Sequence, residues 1–142
     1  MSESTPASYK LYNSGQVFLA SFLGGPLAGC ALLALNARRM ASRPRPGVII
    51  ILGTVLTAAL FGVGFVLPKN FPSAALPVAS SVGLRQVATQ LQGARIASHV
   101  AAGGKKGSYL AAAGVGVSFL VVTLVIVAAV VLILPDGTSV LQ

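Results

Sequence analysis

Residues 109–134 read YLAAAGVGVSFLVVTLVIVAAVVLIL, 26 consecutive positions without a charge. As a helix rising about 1.5 Å per residue, the stretch would measure roughly 39 Å, against about 30 Å for the hydrocarbon core of a bilayer. Inside lipid the backbone has no water to bond, so spanning segments are helices or closed barrels. Composition extends the same reading to the whole chain: 55% of residues are hydrophobic and 8% charged, where a soluble domain carries about a quarter charged residues. At 142 residues there is space for a handful of spans of about 20 residues each, and none beside them for a soluble domain with its own core.

Working back toward the N-terminus, Val48 to Leu67 is a second uncharged run, closed by Pro68 and Lys69. Between Lys10 and Arg38 lies a third, which Asn13 or Ser14 is placed to cap. It contains Gly24-Gly25-Pro26, and Pro26 removes the hydrogen bond that would reach Phe22, so a kink or a broken helix is expected there.

The weak segment is 73–92. Its polar residues Ser81, Arg85, Thr89 and Gln92 fall at helical spacing and form one stripe on an apolar helix. A central arginine costs about 2.5 to 3.5 kcal/mol on the insertion scale, and six leucines and valines each return about 0.3 to 0.6, so insertion alone is near neutral. Such a helix spans only if neighbours cover its polar stripe; otherwise it lies at the interface. Charge favours crossing, because cytoplasmic loops collect Lys and Arg. With four crossings, Arg38, Arg39, Arg43, Arg45, Arg95, Lys105 and Lys106 share one side, against Lys10 and Lys69 opposite.

The expected architecture is therefore an all-α integral membrane protein, a bundle of four transmembrane helices, three strong and one weak at 73–92. A polar tail at 1–14 precedes a single membrane domain at 15–135, with spans near 15–36, 47–67, 73–92 and 109–134. A short C-terminal tail at 136–142 follows. The 38–45 and 95–106 loops are expected in the cytoplasm and both termini outside.

The residue inventory excludes much chemistry. His99 is the only histidine, Asp136 the only aspartate and Glu3 the only glutamate. That leaves no carboxylate pair, no metal cluster and no Ser-His-Asp set within a span, so no enzyme and no cofactor are expected. No stretch combines dense Lys/Arg with stacking aromatics, so the net charge of +8 points to anionic headgroups of the lipid bilayer and away from nucleic acid. The candidate headgroup contacts are Arg38, Arg39, Arg43, Arg45, Lys105 and Lys106. Gly103-Gly104-Lys105-Lys106-Gly107-Ser108 lacks the first glycine of a phosphate-binding loop and reads as a flexible basic turn. His99 reads as an interfacial residue at a helix end.

Three features carry functional readings. Small residues at four-residue spacing, Ser21-Gly25-Gly29 beside Ala20-Gly24-Ala28, allow close helix packing, either within the chain or against a homo-oligomer or another membrane protein. Gly24, Gly25, Pro26 and Gly29 are the candidate interface. Ser81, Arg85 and Thr89 form a candidate intramembrane stripe, with Arg85 the sharpest residue because an ionisable group within a span is by default functional. Leu27-Ala28-Gly29-Cys30 looks like a lipobox, although the apolar run continues past the lone cysteine, Cys30, through Leu35. The leading expectation is a structural or accessory subunit packing against membrane partners. The alternatives are a small channel or facilitator for an anion or neutral solute with Arg85 near the path, and a lipoprotein processed at Cys30.

The pattern Lys10-Leu11-Tyr12, Gln16-Val17, Ala20 and Phe22-Leu23-Gly24-Gly25-Pro26-Leu27-Ala28-Gly29, resumed at Leu91-Gln92-Gly93, Ile96-Ala97, His99 and Gly103-Gly104-Lys105-Lys106, resembles a set of small uncharacterised bacterial inner-membrane proteins. The resemblance implies a multi-pass protein of the bacterial inner (plasma) membrane and brings no activity, substrate or cofactor. Such proteins often carry a tryptophan near the start of the last span, where this chain has Tyr109.

Overall fold

The structure is a computed structural model, and it describes residues 8–133. Four helices account for nearly all of it: α1 (Ser14–Arg39), α2 (Pro46–Val66), α3 (Ala75–Ala101) and α4 (Tyr109–Ile133). Two short strands, β1 (Lys10–Leu11) and β2 (Lys105–Lys106), pair in parallel, Lys10 opposite Lys105 and Leu11 opposite Lys106.

Sequence accounts for the ends of these elements. Asn13 and Gln16 form a reciprocal capping box at the start of α1: Gln16 N–H donates to Asn13 Oδ1, and Asn13 N–H donates to Gln16 Oε1, both at 2.9 Å. α2 starts on Pro46, where a missing N–H costs nothing, and stops just before Leu67-Pro68. α3 runs to Ala101 and ends against Gly103, whose φ of +80° suits glycine. It therefore extends nine residues beyond the expected limit at 92. By length and composition three helices, α1, α2 and α4, are apolar enough to cross a membrane, and α3 is not.

α1 is the element that the one-dimensional reading misjudged. At Gly25 the backbone takes φ +79° and ψ 177°, a region open essentially to glycine alone, and Pro26 follows. The chain reverses there. Asn36 accepts from the Tyr12 N–H at 2.9 Å and donates to the Tyr12 carbonyl at 2.7 Å, although 24 residues separate the two. On a straight helix they would stand about 36 Å apart. A Cβ built on Gly29 would stand 2.9 Å from the Cβ of Ser21 and 3.3 Å from the Val17 carbonyl. The expected kink is thus a full hairpin of two limbs, 14–24 and 26–39, about 16 and 21 Å long. Residues 15–36 are therefore not one straight rod, and each limb is shorter than about 30 Å, although by length and composition α1 is apolar enough to span.

The hairpin is the hub. Both α2 and α3 pack on it, as does α4, while contacts among those three are marginal. α4 runs alongside the first limb from Tyr109, beside Gly15, to Gly116 and Phe119, beside Gly24. α2 runs against the second limb, with Gly53 at Cys30 and Thr57 at Leu27. α3 lies on both limbs, with Ser81 near Ser21, Leu84 near Gly29 and Gln92 at Leu33 and Asn36. The core is correspondingly centred on α1: Val17, Ala20, Ala28, Leu32, Leu33 and Ala37 are all at most 2% exposed.

Both ends of the hairpin therefore lie at one end of the molecule, together with the starts of α2 and α4 and the end of α3. An Arg39 guanidinium nitrogen donates to the Lys10 carbonyl. That contact places Lys10 at the same end of the molecule as the arginine loop, where the charge count had led to the opposite end being expected. The expected polar tail at 1–14 is corrected in its last part, since Leu11 is fully buried and β1 is paired. Its first seven residues and the tail at 136–142 lie outside the described residues.

Candidate functional site

Two regions of the hairpin differ in how their polar groups are satisfied. At the open end, the chain ties itself together with side-chain amides. Asn36 also donates to Gln92 Oε1 at 3.0 Å, and Gln92 Nε2 donates to the Leu33 carbonyl at 3.0 Å. Gln16 Nε2 donates to the Gly107 carbonyl at 2.6 Å, and the Gly107 N–H donates to the Leu11 carbonyl at 2.8 Å. Asn36, Gln92 and Gln16 are each at most 3% exposed, so this is a buried network with its partners in place. Tyr9 stacks on His99 with ring centroids 4.9 Å apart and planes 15° from parallel. Glycine is required beneath the Tyr12 and His99 rings: a Cβ on Gly107 would come within 2.5 Å of Tyr12, and one on Gly104 would enter the His99 imidazole. The basic turn at 103–108 is thus a fitted part of the junction.

Around this junction stand the cations. Arg38, Arg39, Arg43, Arg45, Lys105 and Lys106 are exposed there, and Lys10 and Arg95 belong to the same end, which makes eight of the ten Lys and Arg residues. Arg39 also lies over the Tyr12 ring, 5.8 Å from its centroid.

At the closed end the polar groups are backbone atoms. The Leu27 N–H donates to Thr57 Oγ1 at 3.2 Å, and Thr57 in turn donates to the Gly53 carbonyl at 2.8 Å. The tip therefore stands level with the middle of α2. Beyond it, α2, α3 and α4 continue without the hairpin between them, and they flank an open cavity of about 530 Å3 whose floor is Phe22 to Pro26. Phe61, Phe65 and Leu120 line its walls, and Thr57, Ser73, Ser80 and Thr123 bring hydroxyls. No ionisable side chain lines it.

The structure separates the residues singled out in the sequence. Gly24 and Gly29 make their close approaches inside the chain: Gly29 faces Ser21, and Gly24 faces the Gly116 carbonyl and Phe119. Gly25 and Pro26 form the cavity floor. The stripe of Ser81, Arg85 and Thr89 splits, because Ser81 is fully buried against Ser21, 3.4 Å from its hydroxyl, whereas Arg85 and Thr89 are exposed. Arg85 is absent from the cavity lining, so a path through that cavity does not pass it. Cys30 is 4% exposed within the second limb, packed against Gly53 of α2. Among the described residues there is no group of acidic, His and Cys side chains able to hold a metal.

Sequence reasoning missed Asn36 and Gln16, whose amides close the junction. The signal was present, since an asparagine and a glutamine interrupt an otherwise apolar run on either side of Gly24-Gly25-Pro26. No family model matches the chain, no curated protein is similar to it, and no solved structure matches its fold.

Proposed function

We propose that the chain is a non-enzymatic accessory subunit of a membrane, docking through the outer face of α3 onto a spanning helix of a different protein that carries a carboxylate. In the placement that supports this reading, α2, α3 and α4 cross the bilayer, and the hairpin enters from the basic end and stops halfway. The hairpin supplies the cover that α3 needs, because Ser81 and Gln92 turn inward onto it and are bonded there. Eight of ten cations at one end give the excess expected of the cytoplasmic side, with the N-terminus on that side and the C-terminus opposite.

The observation that carries the reading is the exposed flank of α3. Arg85, Gln86, Thr89 and Gln90 are all exposed at the depth where α2 and α4 present only apolar side chains and the hydroxyl groups of a few Thr and Ser. A guanidinium there favours a counter-charge over lipid. A second copy offers none among its described residues, since Glu3 and Asp136, the chain's only acidic residues, lie outside them. A heterologous partner with an Asp or Glu in a span does.

The test is a photoreactive residue at Gln86 in the full chain, expressed in native membranes. One discrete adduct with another membrane protein is expected, lost in Arg85→Leu and kept in Arg85→Lys. An adduct only with a second copy, or none, overturns the proposal. An N-terminal tag and reporters after Arg43, Lys69, Gly104 and Gln142 test the placement independently. The tag, Arg43 and Gly104 should share one side; a tag opposite Arg43 overturns the half-way hairpin.

A further inference from the structure

A second cavity, of about 480 Å3, runs along α3 beside the start of α1, and it meets the docking flank of α3 only at Thr89. Its volume falls within the usual range for a small-molecule pocket, about 300 to 1,000 Å3. The two ends of this groove differ in chemistry. At the basic end stand Asn13, Ser14 and Lys106, and Lys106 is the only charged residue among the described residues that line it. Asn13 Oδ1 already accepts from the Gln16 N–H, so what Asn13 has left for a ligand is its Nδ2 donor. Ser14 adds a hydroxyl and Lys106 an ammonium, which makes this end rich in donors and positively charged. Away from it the wall is one apolar flank of α3, with Gly93, Ile96, Ala97 and Val100. The lining reaches from Ala101 to Ala88, a rise of about 20 Å, against roughly 15 Å for the hydrocarbon of one leaflet.

From this arrangement we infer that the groove is a binding site for an anionic phospholipid, its phosphate held at Asn13, Ser14 and Lys106 and one acyl chain laid along the α3 flank. Charge complementarity selects the occupant. Eight of the ten cations gather at this end, and the two acidic residues of the chain, Glu3 and Asp136, lie outside the described residues. Basic pockets between spanning helices on the cytoplasmic side take anionic headgroups. A second copy in the same membrane would bring the same cations to the same end. A zwitterionic lipid would set its own ammonium beside Lys106, where an anionic one sets none. The lipid also presents its anion and its apolar body in the order in which the groove presents donors and alkyl groups.

This inference shares the membrane placement of the accessory-subunit reading but not its partner, and the reporter pattern tests that placement separately. The experiment uses the full chain in phosphatidylcholine nanodiscs with a trace of a phospholipid that carries a diazirine in its acyl chain, either phosphatidylglycerol or phosphatidylcholine. The phosphatidylglycerol probe should label residues 88–101 about fivefold above the phosphatidylcholine probe, the effect of one cation at a membrane surface. Lys106→Gln should remove that preference, and Lys105→Gln, next to it but outside the lining, should keep it. A diffuse cloud of anionic lipid would respond to both alike. Gly93 lines the groove, and a Cβ there meets only Thr89 Cγ2, at an ordinary 3.6 Å, so Gly93→Phe should fill the groove and abolish labelling. Gly83 is open too but lies outside the lining, so Gly83→Phe should leave labelling unchanged. Excess glycerol phosphate, the anion without its chains, should not compete. In native membranes a photoreactive residue at Ala97 should yield a lipid adduct. Equal labelling by the two lipids, equal loss in the two lysine variants, labelling that survives Gly93→Phe or is lost in Gly83→Phe, competition by glycerol phosphate, or a protein adduct at Ala97 each overturns the proposal.

Discussion

The two ends of the hairpin are made from the same eleven to fourteen residues per limb, yet they solve the same problem in opposite ways. At the open end, side-chain amides tie the chain: Asn13 and Gln16 cap the first limb, and Asn36, near the end of the second, bonds the backbone of Tyr12 from across the chain. At the closed end there are no such amides, and the reversal is covered only by Thr57 and by a cavity. At the open end the amides are matched inside the chain, while Ser42 Oγ and His99 Nε2 stay buried without a hydrogen-bond partner. This contrast separates the two ends of the hairpin more clearly than residue type does.

The largest effect expected from a single substitution tests whether the closed end is held as tightly as the open one. Gly24→Val pushes a side chain into the Gly116 carbonyl and to within 2.9 Å of Phe119 Cβ, and should lower stability by about 3 kcal/mol in a detergent melt. No change in the melting curve would mean that the tip and α4 do not meet. Next comes the open end. Asn36→Leu strands the Tyr12 backbone and the Gln92 amide, a loss of about 2 kcal/mol, and should expose the segment around Tyr9 to protease. Unchanged cleavage there would erase the distinction between the two ends.

A smaller loss, about 1 to 2 kcal/mol, is expected for Gly25→Ala, which retains the space around the site but forces an L-residue to φ +79°. A neutral result would show that the reversal does not use that backbone state. The finest comparison lies along α2 itself. Gly53→Ala brings a Cβ to 2.6 Å from that of Cys30 and should destabilise, whereas Gly64→Leu, facing the cavity, should stay within about 0.5 kcal/mol of the parent. Equal effects at the two glycines would deny that one packs and the other faces space.

Much of this was legible in one dimension. The uncharged runs that became α2 and α4 were recovered to within a residue, because apolar length needs no partner to be recognised. The break at Gly24-Gly25-Pro26 was legible too, since a missing N–H is a local property. The angle of the break was not. A kink and a reversal begin with the same three residues, and the choice is made by Asn36 reaching Tyr12 and by α3 lying across both limbs. The stripe of Ser81, Arg85 and Thr89 was read as one face, but with two limbs beneath it α3 buries Ser81 and leaves Arg85 outside. The cavity left no trace at all, as it is made by what stops short of it.

The amino-acid sequence alone determined that the chain is helical and mostly apolar, where its first helix breaks, and that it carries one histidine and two carboxylates. Those are properties of single residues and of local runs. Only the tertiary structure decided that the first helix turns back, that eight cations gather at one end, and that a space opens over the tip. Each of these depends on distances between residues far apart in the chain, which hydrogen bonds and close packing set and local periodicity does not.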